Sequence, residues 1–230
     1  MIVLKDVSLS LSVEEALTIG GLSRIADKID NLGDLLDECV GLIRPAALYN
    51  YLKIERVIQE GVLVEDGKLL SSPRLAEELK CATEIAPYIL TIGPDLERRV
   101  TETSHSRLLD SWILDNLGTY ALRLLTRHLE ERIKAEKGWE ISRFSPGSTP
   151  SWELDQQEVI FSMFSKEKVQ EAIGVCLTDQ FVMIPKKSVS GIMGQTETVY
   201  HNCQECQKMC EYRQVPYREE SPRKLPASVV

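Results

Sequence analysis

Three short stretches of this sequence hold the residue types that chemistry needs. Arg143-Phe144-Ser145-Pro146-Gly147, followed by Ser148, sets a cation beside a bend of small residues. Pro146 fixes one φ angle and Gly147 can take the positive φ that other residues avoid. Such a bend exposes backbone N–H and C=O groups, and Arg143 offers a two-pronged grip on a carboxylate or phosphate. The second stretch is Lys187-Ser188-Val189-Ser190-Gly191, whose small side chains suit either a cleft wall or a plain strand with exposed serines. The third is Cys203-x2-Cys206-x3-Cys210, preceded by His201. On a helix, positions 203, 206 and 210 share a face, so three thiolates could converge. Three cysteines with one open position suit a four-iron, four-sulfur cluster. With His201 as fourth ligand a tetrahedral zinc site is equally buildable, and three reduced thiols without metal are the remaining alternative.

These stretches need elements to position them. Ser12 before Val13-Glu14-Glu15 reads as a helix N-cap, and Leu32 to Ile43 repeats apolar residues at helical spacing until Pro45. Tyr49–Val57 and Val62–Leu70 read as strands with Asp66-Gly67 as a hairpin turn, and Ser72-Pro73 opens a short helix to Lys80. Ile85–Ile92 is an apolar, β-rich run closed by Gly93-Pro94, which predicts a buried strand. A long helix is expected from Arg107 to Glu136, with Leu109, Ile113, Leu117, Ala121, Leu124 and His128 on its apolar face and Gly138 ending it. Arg127, Glu130, Glu131 and Lys134 mark its wet side, and Gly118 predicts close packing against a neighbour. Helices near Ser151–Phe164 and Lys166–Ile173, strands near Gln180–Ile184 and Ser188–Met193, and a short helix at the Cys-rich end complete the reading. Strands mixed irregularly with helices predict an α+β fold with a largely antiparallel, twisted sheet flanked by helices. The organisation expected is an N-terminal helical and hairpin part (1–84), a core with the cleft (85–200), the Cys-rich motif (201–214) and a mobile tail (215–230).

Composition limits the function classes. The chain has 230 residues, 43% hydrophobic and 27% charged, with a formal net charge of −8. That charge argues against nucleic acid or an anionic membrane as partner. No apolar run approaches the roughly 20 residues of a membrane span, and the N-terminus lacks a secretory pattern, so the expected location is cytoplasmic. Cys39, Cys81 and Cys176 stand singly in apolar surroundings, as free thiols do in a reducing compartment. His105, His128 and the tryptophans Trp112, Trp139 and Trp152 read as packing or surface residues.

The run RFSPGSTPSWELDQQEVIF from Arg143 to Phe161 and the run LTDQFVMIPKKSVSG from Leu177 to Gly191 resemble the activation (reactivation) domain of cobalamin-dependent methionine synthase. That domain has an Arg-x-x-Pro-Gly-Tyr-Pro loop, a polar helix, then Leu-Thr-Glu-Ser-x-x-Met-x-Pro leading into Ser-Val-Ser-Gly. The resemblance runs from about Ile85 to Tyr200, weak before and absent after Pro216. It implies that fold, and an S-adenosylmethionine site covering a cobalamin carried by a partner. It also implies a role as a stand-alone reactivation subunit for a corrinoid-dependent methyltransferase of the methionine synthase type. There the domain supports reductive methylation of cob(II)alamin to methylcobalamin, with a donor such as flavodoxin or ferredoxin. Arg143 matches the arginine that holds the methionyl carboxylate, Ser145 a backbone contact, and Gly147 the close approach. Pro146, Ser188, Ser190 and Gly191 match cleft positions, and Tyr200 aligns near a tyrosine pair. The acidic residue the family supplies from its N-terminal part has Asp27, Asp30 and Asp34 as equal candidates. Ser148 departs from the family's tyrosine, and the Cys-rich end has no counterpart in the best-known members. A second reading follows: an accessory protein carrying iron–sulfur or zinc that kept the fold without S-adenosylmethionine use.

Overall fold

The computed structural model describes residues 1–18, 20–208, 213 and 215–218. Its strands are β1 (Ile2–Leu4), β2 (Ala46–Tyr49), β3 (Leu52–Ile58), β4 (Gly61–Val64), β5 (Lys68–Ser71), β6 (Glu84–Thr91), β7 (Ile141–Phe144), β8 (Cys176–Leu177), β9 (Met183–Ile184) and β10 (Ser188–Gln195). Its helices are α1 (Val13–Leu17), α2 (Leu32–Leu42), α3 (Pro73–Glu78), α4 (Asp95–Ser104), α5 (Leu108–Lys137), α6 (Gln157–Ser162) and α7 (Lys166–Ile173).

The apolar run predicted as a buried strand is the spine. β6 is buried at every position after Glu84 and bonds antiparallel to β10 on one edge. On its other edge β2 and β3 follow one another, and β1, β4 and β5 extend the eight-stranded sheet outward. β7 pairs with β10 alone and closes the opposite edge. The α+β architecture with a curled antiparallel sheet and flanking helices is therefore the expected one.

Alternation along β6 divides the core in two. Ala86, Tyr88, Leu90 and Ile92 face α1, α2 and α5, whereas Ile85 and Ile89 face α3, α6 and α7. Met193 of β10 and Ile141 of β7 join the first layer, while Ile192 and Phe144 join the second. The same parity sends Arg143 toward α5, because its register partner is Met193.

Local chemistry explains the element ends. Ser12 caps α1 by accepting the Glu15 N–H at 3.2 Å, and Ser72 caps α3 with Pro73 in the first turn. α5 stops at Gly138 in the left-handed region (φ 69°). A Cβ on Gly118 would lie 2.8 Å from Leu96 of α4, so the two helices meet there as the glycine predicted. The predicted apolar stripe of α5 is corrected at both ends: Leu109 and His128 are exposed, and Leu125, Leu129 and Ile133 bury instead.

The Tyr49–Val57 run divides into β2 and β3, and Asp66-Gly67 turns β4 into β5 with positive φ at both residues. The helix expected from Ser151 starts only at Gln157, after a 3-10 turn at Leu154–Gln156. The strand expected from Gln180 shortens to Met183–Ile184, because Phe181 sits at φ 59° inside a turn. Among the described residues the Cys-rich end, expected as a short helix, holds a 3-10 turn at Asn202–Gln204. The mobile-tail assignment falls mostly on residues 219–230, outside the described residues. Among the described residues no helix is long and apolar enough to cross a membrane.

Candidate functional site

The bend after β7 is a turn in which the Ser148 N–H donates to Ser145 O at 3.2 Å. Pro146 is buried at its second position and Gly147 holds φ 75° at its third, the geometry of a type II turn. Gly147 N–H donates to Trp152 O at 2.8 Å, and a Cβ on Gly147 would lie 2.7 Å from the Leu154 side chain. The turn is thus fixed by backbone bonds and by a close approach that only glycine permits.

Arg143 and Ser145 meet residues from three other elements. Arg143 Nε pairs with Glu130 Oε2 of α5 at 3.3 Å. Ser145 Oγ lies 3.4 Å from the Tyr88 hydroxyl of β6. Tyr88 stands opposite Gly191 in the register of β6 and β10. A Cβ on Gly191 would be 2.2 Å from Phe144 O, 2.8 Å from the Tyr88 hydroxyl and 2.9 Å from Ser145 Oγ. Gly191 therefore leaves the space in which the end of β7 and its first turn residue sit. Burial raises the Tyr88 pKa, opposed by Ser145 and by the Arg143 charge. Arg143, Glu130, Tyr88, Ser145 and Gly191 form one group on the α5 face.

The other expected site residues are placed differently. Ser188 is buried; its hydroxyl donates to Pro185 O at 2.7 Å and lies 3.0 Å from Thr91 Oγ1. Ser190 is buried with Oγ 3.4 Å from Gln157 Oε1 of α6. Both serines thus point to the face opposite Arg143 and are engaged inside the fold. Tyr200 lies on that opposite face as well, stacked on Phe144 at 5.1 Å between ring centres with Arg74 over its ring. Among the described residues its buried hydroxyl has no hydrogen-bond partner within normal geometry, and burial together with the nearby Glu205 carboxylate raises its pKa. Lys187 pairs with Asp115 at 2.9 Å and donates to Thr119, and Lys186 lies 3.6 Å from Glu97.

The Cys-rich end folds back onto the bend. Buried Glu205 pairs with Arg74 of α3 and accepts from Ser151 Oγ. Asn202 Nδ2 donates to Ser148 Oγ at 2.8 Å. Arg213 donates to the carbonyls of Cys203 at 2.7 Å, Cys206 at 2.6 Å and Lys208 at 2.8 Å. Cys203 and Cys206 are partly buried and unbridged, and Cys210 lies outside the described residues. Among the described residues, His201 included, no group of three or more His, Cys, Asp or Glu is placed to hold a metal ion. Between this turn and the bend lies a cavity of ≈ 500 Å³, lined by Ser148, Pro150, Trp152, Leu154, Cys206 and Gln207 among others, within the size range of small-ligand pockets.

Glu130 and Tyr88 are the residues that sequence reasoning missed. Glu130 reads as part of the wet side of α5; packing of that helix on the sheet brings it to Arg143, and the strand register across β6, β10 and β7 brings Tyr88.

Residues 128–214 match the family model described as "Vitamin B12 dependent methionine synthase, activation domain". Among solved structures, the chain is similar to the MetH reactivation domain crystallised with AdoHcy bound, at 16% identity and a TM-score of 0.59. That likeness covers 84% of this chain and 72% of the other, and at such identity it speaks for the fold alone. No curated protein matches the sequence.

Proposed function

We propose that this chain, whose residues 128–214 match the vitamin B12-dependent methionine synthase activation domain, binds S-adenosylmethionine at the Arg143 group. There it supports methyl transfer to a reduced corrinoid carried outside residues 1–230. The observation that carries this reading is the Arg143–Glu130 pair beside the Ser145–Gly147 bend. An amino-acid end is a zwitterion, and this pair offers a guanidinium for its carboxylate and a carboxylate for its ammonium. A guanidinium has five N–H donors, so pairing with Glu130 through Nε does not saturate it.

When bound, S-adenosylmethionine would supply an electrophilic methyl on sulfur to a reduced corrinoid acceptor, S-adenosylhomocysteine being the leaving group. No side chain has to move a proton. What the residues do is bind and orient: Arg143 and Glu130 fix the amino-acid end, and the bend presents backbone groups to the rest. Gly191 and Gly147 let the end of β7 and Leu154 pack closely against them, which holds the bend in place.

Calorimetric titration with S-adenosylmethionine tests the proposal. Binding that Arg143→Ala weakens by about 10–100-fold supports it, the range expected for losing a hydrogen bond to a charged group. A second reading, an accessory protein that kept the fold without S-adenosylmethionine use, draws support from Ser148, which brings no aromatic ring to the bend and bonds to Asn202 instead. Absence of binding with the corrinoid partner present would favour it. Stoichiometric iron or zinc in anaerobically prepared protein would add the metal-carrying role.

A further inference from the structure

Cys203 and Cys206 stand at the two ends of one tight turn. Asn202–Gln204 is a 3-10 turn, and Glu205 after it keeps helical angles (φ −103°, ψ −10°). Gln204 N–H donates to His201 O at 2.9 Å, and Glu205 N–H to Asn202 O at 3.2 Å. The rise of such a turn, roughly 2.0 Å per residue, puts the Cα atoms of residues 203 and 206 about 6 Å apart. That lies inside the range of about 4.4–6.8 Å that a disulfide spans.

One guanidinium holds both backbones. Arg213 Nη1 donates to Cys203 O at 2.7 Å and Nη2 to Cys206 O at 2.6 Å. The two nitrogens share one carbon in a rigid fork, so the cysteines stay close while both bonds last. Both thiols are unbridged and partly buried. Cys206 lines the ≈ 500 Å³ cavity, where a small molecule can reach it.

The turn is joined to the bend just ahead of each cysteine. Asn202 Nδ2 donates to Ser148 Oγ at 2.8 Å. Buried Glu205 accepts from Ser151 Oγ and pairs with Arg74 of α3. A bond between residues 203 and 206 would therefore tighten the grip on residues 148 and 151.

We infer that Cys203 and Cys206 form a thiol–disulfide pair, closed by exchange with a low-molecular-weight disulfide, whose oxidised state locks the Cys-rich turn onto Ser148 and Ser151. With oxidised glutathione, the Cys206 thiolate attacks one sulfur and expels a glutathione thiolate. The Cys203 thiolate then attacks Cys206 Sγ and expels the second. Two protons pass from the protein thiols to the glutathione thiolates, and two electrons from the protein to the glutathione disulfide.

The test equilibrates the whole chain, without oxygen, in mixtures of reduced and oxidised glutathione, followed by alkylation and peptide mass mapping. A 203–206 linkage is expected, reversed by dithiothreitol and retained in Cys210→Ser and Cys81→Ser. Cys203→Ser should stop at a glutathione adduct on Cys206. Amides of residues 147–152 and 202–206 should exchange hydrogen about tenfold more slowly in the oxidised protein than in the reduced one. Glutathione adducts alone on the unaltered chain, linkage to Cys210 or Cys81, or no oxidation overturns the inference. Stoichiometric iron or zinc that blocks oxidation until it is chelated does so too, as does a 203–206 linkage that leaves exchange at 147–152 unchanged. No S-adenosylmethionine takes part, so each result leaves the function proposed above untouched.

Discussion

Arg143 on the edge strand and Glu130 on the long helix form an ion pair at 3.3 Å across the α5 face of the sheet. Both are partly exposed, at 34% and 21%, so the pair itself contributes little to stability and is open to a ligand. Glu130→Gln keeps a hydrogen-bond acceptor for Arg143 and removes the charge that meets an ammonium group. Calorimetry should find S-adenosylhomocysteine weakened by about 5–10-fold and the thermal midpoint nearly unchanged. An unchanged affinity would remove Glu130 from the site.

Gly191 should tolerate no side chain. A methyl there meets the Phe144 carbonyl at 2.2 Å, and that backbone atom cannot give way cheaply. Gly191→Ala is expected to destabilise by about 1–3 kcal/mol or more in urea denaturation, and to displace Ser145 enough to weaken the ligand. A variant as stable as the parent would show that β7 and β10 are farther apart than described.

Glu205→Ala removes the buried partner of Arg74 Nε, while Glu77 at 2.9 Å and Glu78 at 3.2 Å still hold the guanidinium. The expected loss is about 1.5–3 kcal/mol, measured by urea denaturation, with Glu205→Gln losing less. Because Glu205 fastens the Cys-rich turn, alkylation of Cys203 and Cys206 should also accelerate in the alanine variant. Unchanged rates would mean that the turn is held by Arg213 without Glu205.

Burial, with a smaller contribution from Glu38, pushes the Cys39 thiol up from 9.0 to about 12. The native state therefore keeps its proton where the unfolded chain releases it. Stability should be unaffected by this group below about pH 9 and fall between pH 9 and about 12, by up to about 1.4 kcal/mol per pH unit. Cys39→Ala should flatten that part of the profile. Near pH 8, exposed Cys81 should alkylate while Cys39 does not.

Much of the fold was legible where the signal is local. The Ser12 cap, the Asp66-Gly67 turn, the Gly138 stop and the Gly118 contact each follow from residues close in sequence. α4 was missed because it buries only Leu96 and Thr103 and so carries no apolar stripe; it is held by packing on α5. β7 was missed because four residues interrupted by a charged arginine show too little alternation, and its pairing partner lies some fifty residues away. The bend at Arg143–Gly147 was readable from proline and glycine chemistry. Its neighbours were not, since Tyr88 arrives through non-local register and Glu130 through packing of α5 on the sheet. For the same reason Ser188 and Ser190 turned inward: the two-residue period of β10 decides their side, and nothing in Ser-Val-Ser-Gly states which side is cleft.

The measurement closest to the central claim is a calorimetric titration of S-adenosylmethionine into the unaltered protein and into Arg143→Ala, side by side. The account predicts one binding event per chain in the first and an affinity lower by about 10–100-fold in the second. Equal affinity in both, or heat of binding in neither, contradicts it.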